Sequence, residues 1–186
     1  MEDQPSGGSL KMKKVGFIGL GNMGLPMANN ILKAGIGVNA FDLSRDAMRR
    51  ADELGMVTKS SASDVIENID ALITMLPNDT AVESIYLKED LLEKISKNTI
   101  IIESSTINPE VSKKVSKKAT EMNISILDAP VSGGVKGAEL GSLTFIVGGD
   151  EADLEKATPL FKIMGDKTFY AGKAGSGQIA KLCNNM

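Results

Sequence analysis

Lys13-Lys14-Val15-Gly16-Phe17-Ile18, Gly19-Leu20-Gly21-Asn22-Met23-Gly24 and Leu25-Pro26-Met27-Ala28-Asn29-Asn30-Ile31-Leu32-Lys33-Ala34-Gly35 form one continuous stretch. It reads as a short apolar strand, a G-x-G-x-x-G turn and a helix ended by glycine. Each motif glycine has a mechanical job. Gly19 permits the tight turn. Gly21 leaves out a Cβ, so a pyrophosphate can approach the backbone. Gly24 lets the helix lie close to its strand. The helix N-terminus then offers free N–H groups and partial positive charge to the phosphates. Glycine-rich turns are common, and an ordinary βαβ turn without a nucleotide is the plain alternative. Context favours the nucleotide. The motif follows a strand and opens a helix. A second strand, Ile36-Gly37-Val38-Asn39-Ala40-Phe41, ends at Asp42, 18 positions after Gly24. An acid near that spacing hydrogen-bonds the adenine-side ribose of a dinucleotide. The cofactor-binding candidates here are Gly19, Leu20, Gly21, Asn22, Met23, Gly24 and Asp42.

Working outward, strands and helices alternate. Ser44 caps a helix to Leu54, stopped by Gly55. A brief strand spans Met56 to Thr58, and Ser61 or Ser63 caps a short helix to Asn68. Ala71 to Leu76 is a buried strand closed by Pro77-Asn78-Asp79. Asp79 or Thr80 caps the next helix, to Leu87, and a one-turn helix lies near Asp90. Thr99 to Glu103 is a strand, and Asn108-Pro109 opens a helix to Met122. Further strands are expected at Ile124 to Leu127, Leu143 to Val147 and Lys167 to Tyr170. Helices are expected from Glu151 to Met164 and from Ser176 onward. This alternation predicts an α/β, Rossmann-like, doubly wound, mostly parallel sheet. Ligands then sit beyond the carboxyl ends of the strands. Residues 1–12 read as a disordered leader, 13–174 as the dinucleotide-binding domain and 175–186 as the start of a truncated interdomain helix. The last helical pattern, Gln178 to Met186, carries no cap, glycine stop or proline, so the expectation is the front part of a longer protein.

Composition narrows the function. The chain has 186 residues, 42% hydrophobic and 24% charged, as in a globular domain. Its net charge of -3 argues against a nucleic-acid partner. Lys113, Lys114, Lys117 and Lys118 sit at helical spacing and read as a solvated face. No apolar run is long enough to cross a bilayer, so no membrane partner is expected. One cysteine, Cys183, excludes an internal disulfide. The absence of histidine excludes Ser-His-Asp and Cys-His catalysis and removes the commonest metal ligand, so no metal site is expected.

A dinucleotide enzyme needs a proton donor and acceptor beside the hydride, here drawn from Lys, Tyr, Asp and Glu. Neither Tyr86 nor Tyr170 is followed four residues on by lysine, which excludes the Tyr-x-x-x-Lys pair. Lys181 and Asn185 lie one helical turn apart, hence on one face. Such a lysine could deliver a proton while the amide holds it in line, although most helical lysines face solvent. Ser132-Gly133-Gly134 could bind a carboxylate on successive unhindered N–H groups, or could be a plain glycine turn.

Five segments together resemble the β-hydroxyacid dehydrogenases. They are Phe17 to Asn30, Thr74-Met75-Leu76-Pro77, Glu103-Ser104-Ser105-Thr106, Asp128-Ala129-Pro130-Val131-Ser132-Gly133-Gly134 and Gly177 to Asn185. The resemblance runs from Lys13 to Met186. It implies that Lys181 is the general acid/base and Asn185 its orienting partner. Ser132, Gly133 and Gly134 would bind the substrate carboxylate. Met75, Leu76, Pro77 and Thr106 would line the nicotinamide half of the cofactor site. NADP-preferring members carry Asn-Arg-Thr where this chain has Asp42-Leu43-Ser44, and Asp42 would repel a 2′-phosphate, so the implied cofactor is NAD. The 6-phosphogluconate dehydrogenases have a histidine at the place of Asn184, which argues against a phosphosugar. The implied reaction is oxidation of 3-hydroxyisobutyrate to methylmalonate semialdehyde, in valine breakdown. Reduction of tartronate or succinic semialdehyde, or nucleotide binding without turnover, are the alternatives. The family's all-helical second domain, with most of its homo-oligomer contact, is missing from these residues. The implied compartment is the mitochondrial matrix, with the cytoplasm as alternative.

Overall fold

The computed structural model describes residues 12–184. Most of the expected leader, and Asn185, lie outside the described residues. Elements follow in the order β1 (Lys14–Ile18), α1 (Gly24–Lys33), β2 (Gly37–Phe41), α2 (Arg45–Glu53), β3 (Val57–Thr58), α3 (Ala62–Val65), β4 (Ala71–Thr74) and α4 (Asp79–Glu83). A π-helical turn at Ser84–Lys88 leads to α5 (Leu91–Lys94), β5 (Ile100–Glu103), α6 (Pro109–Glu121), β6 (Ser125–Asp128), β7 (Val131–Ser132) and α7 (Gly134–Leu140). The last elements are β8 (Leu143–Gly148), α8 (Glu151–Met164), β9 (Gly165–Gly172) and α9 (Ser176–Asn184).

Strands β3, β2, β1, β4, β5 and β6 lie side by side in that order, all parallel. The order reverses between β1 and β4, which opens a crevice at their carboxyl ends. The far edge differs from the expected pattern. β6 and β7, interrupted at Ala129-Pro130, both pair antiparallel with β8, and β9 adds parallel to β8. The sheet is doubly wound. Successive strand residues point to opposite faces, so Phe17, Ile73, Ile102 and Leu127 join one core with α1, α2, α7 and α8. Ile18, Leu72, Ile101 and Ile126 join a second core with α3, α4, α5 and α6.

Local signals set most helix starts. Ser44 accepts from the Ala47 N–H at α2, Ser61 from Asp64 at α3, and Asn108 from Glu110 at α6. At α4 the cap is Asn78, which accepts from Ala81 N–H at 2.9 Å, and not Asp79 or Thr80. Asp79 instead accepts from the Asn108 N–H at 2.9 Å, a contact between the starts of α4 and α6. The helix expected to reach Leu87 widens into the π-turn, where Tyr86 is fully buried with its hydroxyl 2.8 Å from Thr74 Oγ1. A helix not expected from the sequence, α7, starts at Gly134, and Asn30 of α1 holds it by donating to Ala138 O at 2.7 Å.

Glu103 ends β5 and is 3% exposed. Its Oε1 accepts from the Ser105 N–H at 2.9 Å, while Oε2 has no partner. Burial pushes its carboxyl from 4.5 up to about 8. Between these values the folded chain holds a proton that the unfolded chain has released. This group therefore lowers stability as the pH rises from 4.5 to about 8, and the loss is complete above that. Glu103→Gln, which mimics the neutral carboxyl, removes that slope. Thermal unfolding should show the variant melting about 5 °C above the parent at alkaline pH and level with it in acid. Parallel curves would exclude the ionisation.

Candidate active site

The crevice starts from backbone contacts. Gly19 has φ +96, and a Cβ there would run into the Met75 carbonyl. A Cβ at Gly24 would fall on the Gly19 carbonyl oxygen. The loop is thus wedged between α1 and the end of β4. Gly21 differs, because a Cβ there would meet nothing of the protein within 4 Å. Its bare backbone is exposed at the start of α1. That open space fits a pyrophosphate, where a side chain would intrude. Asn22 is exposed and Met23 half-buried beside it, while Leu20 is buried.

Asp42 braces the same loop. Its Oδ2 accepts from the Leu20 N–H at 2.7 Å and its Oδ1 from the Ser44 N–H at 2.7 Å. A carboxylate has about four acceptor positions, so capacity remains for ribose hydroxyls. Leu43, next to it, is 92% exposed and belongs to neither core.

The loops after β4 and β5 are fastened together. The Met75 N–H donates to Ile18 O at 2.9 Å, and the Ser104 N–H donates to Thr74 O at 2.9 Å. The Leu76 N–H donates to Ser105 Oγ at 2.8 Å. Met75 and Leu76 are half-buried, whereas Pro77 and Thr106 are exposed on this rim.

Lys181 arrives from the other side. Its Nζ donates to Ser132 Oγ at 2.7 Å, which joins two of the sequence candidates across 49 residues of chain. Gly133 and Gly134 follow, exposed, as the cap and first residue of α7. First-turn N–H groups there lack helical partners. Asn185 lies outside the described residues.

Four contributors were not among the sequence candidates. Asp128, at the end of β6, accepts from the Gly175 N–H at 2.7 Å and the Gln178 N–H at 3.1 Å. It thereby holds the N-terminus of α9, where a negative charge is favoured. Burial pushes its carboxyl up, and these N–H groups pull it back. Gly177 brings the helix onto the sheet, since a Cβ there would press on Asp128 and on Ile146 O. Gln178 and Ser105 join α9 to the β5 loop. Asp128 could have been suspected, because it ends an apolar strand as Asp42 does. Nothing local marks Gln178 or Ser105.

The fold and its glycine loop define a Rossmann-type dinucleotide-binding domain. The chain belongs to the family described as the NAD binding domain of 6-phosphogluconate dehydrogenase, whose model matches residues 14–172. A Pseudomonas aeruginosa NAD-dependent L-serine dehydrogenase is 49% identical over 94% of this chain and 59% of its own length. The human mitochondrial 3-hydroxyisobutyrate dehydrogenase is 46% identical over 92% of this chain and 52% of its own. The solved structure of Mycobacterium tuberculosis 3-hydroxyisobutyrate dehydrogenase with L-serine superposes with a TM-score of 0.91 at 42% identity, covering 94% of this chain and 60% of that one. The chain thus spans between half and two thirds of the length of these relatives. Among the described residues no helix is long and apolar enough to cross a membrane, and no group of three metal-ligating side chains occurs.

Two glycines of the motif should separate by experiment. Gly24→Ala clashes within the protein and should lower both the melting temperature and NAD affinity. Gly21→Ala should leave the melting temperature within about 2 °C yet weaken NAD binding at least about tenfold by calorimetry. Unchanged affinity in Gly21→Ala would remove the pyrophosphate from this loop.

Proposed function

We propose that this chain is the cofactor-binding part of an enzyme that oxidises a small 3-hydroxy carboxylate with NAD, with 3-hydroxyisobutyrate as substrate and methylmalonate semialdehyde as product. The observation that carries the reading is the 2.7 Å contact from Lys181 Nζ to Ser132 Oγ. It supports the reading because Lys181, taken as the proton-transfer group, lies beside Ser132, taken as part of the carboxylate site.

Bound NAD supplies the hydride acceptor. The chain's residues do the rest. Ser132, Gly133 and Gly134 bind the substrate carboxylate with hydroxyl and backbone N–H donors. Lys181, as the free amine, takes the hydroxyl proton at Nζ while the carbonyl forms. Asn185 keeps Lys181 and the substrate in line. Met75, Leu76, Pro77 and Thr106 line the nicotinamide half of the cofactor site, and Asp42 takes the ribose hydroxyls and repels a 2′-phosphate. Leu43 offers an apolar surface to the adenine. In the whole protein, a following all-helical domain closes the cleft and joins copies into a homo-oligomer. The relatives come from mitochondria and from bacteria. The mitochondrial matrix fits valine breakdown, and the cytoplasm is the alternative.

L-Serine is the second reading. It is the substrate named for one relative and the molecule named with one solved structure. Serine and 3-hydroxyisobutyrate share the carboxylate and the β-hydroxyl and differ at C2, where one carries ammonium and the other methyl. Tartronate and succinic semialdehyde are further substrates within the same chemistry.

In the full-length enzyme, Lys181→Ala should lower kcat by about 10²–10⁴-fold, the usual worth of a general acid/base. NAD affinity should change by less than about twofold. Near-normal turnover would refute the assignment. A comparison of kcat/KM for 3-hydroxyisobutyrate and L-serine decides the substrate.

A further inference from the structure

Gln178 lies on the same face of α9 as Lys181, one turn earlier. Its side chain is 0% exposed. Nε2 donates to Ser105 O at 2.7 Å, and Oε1 accepts from the Ile107 N–H at 3.1 Å. These two backbone groups flank Thr106, at the rim assigned to the nicotinamide. Ser105 also holds the neighbouring loop, since its Oγ accepts from the Leu76 N–H at 2.8 Å. One amide therefore ties the helix that bears Lys181 to the β5 loop and, through Ser105, to the β4 loop of the proposed nicotinamide site. The Gln178 N–H is itself held by Asp128 Oδ2 at 3.1 Å, which fixes the root of the side chain.

We propose that Gln178 is a positioning residue, which sets the distance between Lys181 Nζ and the hydride-accepting side of the site by locking α9 to the Ser105–Ile107 loop. The inference rests on the proton-transfer reading of Lys181. It differs from a plain stabilising role in what it constrains. Asn39 supplies the contrast. It is another buried amide, 1% exposed, and its Nδ2 donates to Val65 O at 3.1 Å. It ties β2 to α3, on the amino-terminal side of the crevice loops, and touches neither α9 nor the nicotinamide rim.

Alignment of proton and hydride transfer is sensitive to small displacements. A loosened clamp should slow the chemical step while leaving the rest of the cofactor site intact. Gln178→Met keeps the shape and removes both hydrogen bonds. In the full-length enzyme it should lower kcat at least about tenfold and raise the deuterium isotope effect on kcat with substrate labelled at C3. NAD affinity by calorimetry should stay within about twofold. Hydrogen exchange at the Ile107 amide should speed up. Asn39→Leu should lower the melting temperature with no change in the isotope effect.

Gln178→Glu provides a second arm if the methionine variant does not fold. A neutral glutamic acid can accept from Ile107 and donate to Ser105, whereas the carboxylate cannot donate to Ser105 O; the nearby acids are Asp128, which holds the residue's own N–H, and Glu103, which holds the Ser105 N–H. Its kcat relative to the parent should therefore recover as the pH falls. The proposal is overturned by a folded Gln178→Met with kcat within about twofold of the parent and an unchanged isotope effect. Equal losses of kcat and NAD affinity would overturn it too, as would a Gln178→Glu profile parallel to the parent's. Lys181→Ala separates the two levels. If that variant turns over normally, the reading of the site fails. If it is inactive while Gln178→Met is normal, only the positioning role fails.

Discussion

Everything at the ligand edge depends on a contact that leaves no room for a side chain. Gly24, the first residue of α1, rests against the Gly19 carbonyl, and Gly19 rests against the Met75 carbonyl. Two backbone-on-backbone contacts thus stack α1, the glycine loop and the end of β4. Because the loop is held from below, Gly21 can stay open above. Asp42 completes the brace by taking the Leu20 N–H. The same carboxylate takes the Ser44 N–H at its other oxygen, so the glycine loop and the start of α2 are held through one side chain.

The other wall of the crevice is anchored by charge. Burying a carboxylate is costly unless its oxygens are satisfied. Asp128 meets that condition at the start of α9, where two N–H groups point at it and the helix dipole favours a negative charge. Glu103, its register partner on β5, has no such help at Oε2 and holds a proton instead. Burial pushes both carboxyls up, and the N–H groups of α9 pull Asp128 back, which eases the repulsion between two acids side by side in a dry place. The sheet thereby holds the helix of Lys181 without a like-charge conflict beneath it.

What the sequence disclosed was local. The β1–α1 turn, the Ser44 cap and the Asn108-Pro109 helix start all depend on neighbours a few residues away, and each stands in the structure as read. The misreadings involve distant partners or competing local ones. Asn78 takes the α4 cap because Asp79 is engaged by Asn108, 29 residues on. The π-turn accompanies Tyr86 reaching Thr74 in the core. The antiparallel edge follows from β6 and β7 sharing β8, a pairing that βα alternation does not disclose. Gln178 is the extreme case. Its partners lie 71 and 73 residues back in the chain, and its own helical surroundings say nothing of them.

Lys181 changed most between sequence and structure. By spacing it was one more helical lysine, and its candidacy came from a family pattern. The structure brings it to Ser132, another residue of that pattern, with Nζ donating to Oγ at 2.7 Å. On the proposed reading, the hydroxyl of Ser132 holds Nζ where the substrate's β-hydroxyl would replace it, next to the site for the carboxylate. That geometry serves the features shared by 3-hydroxyisobutyrate and L-serine. It accords with near-equal identity to relatives named for each. On that reading these residues would serve the groups common to both molecules, and selection at C2 would fall outside them.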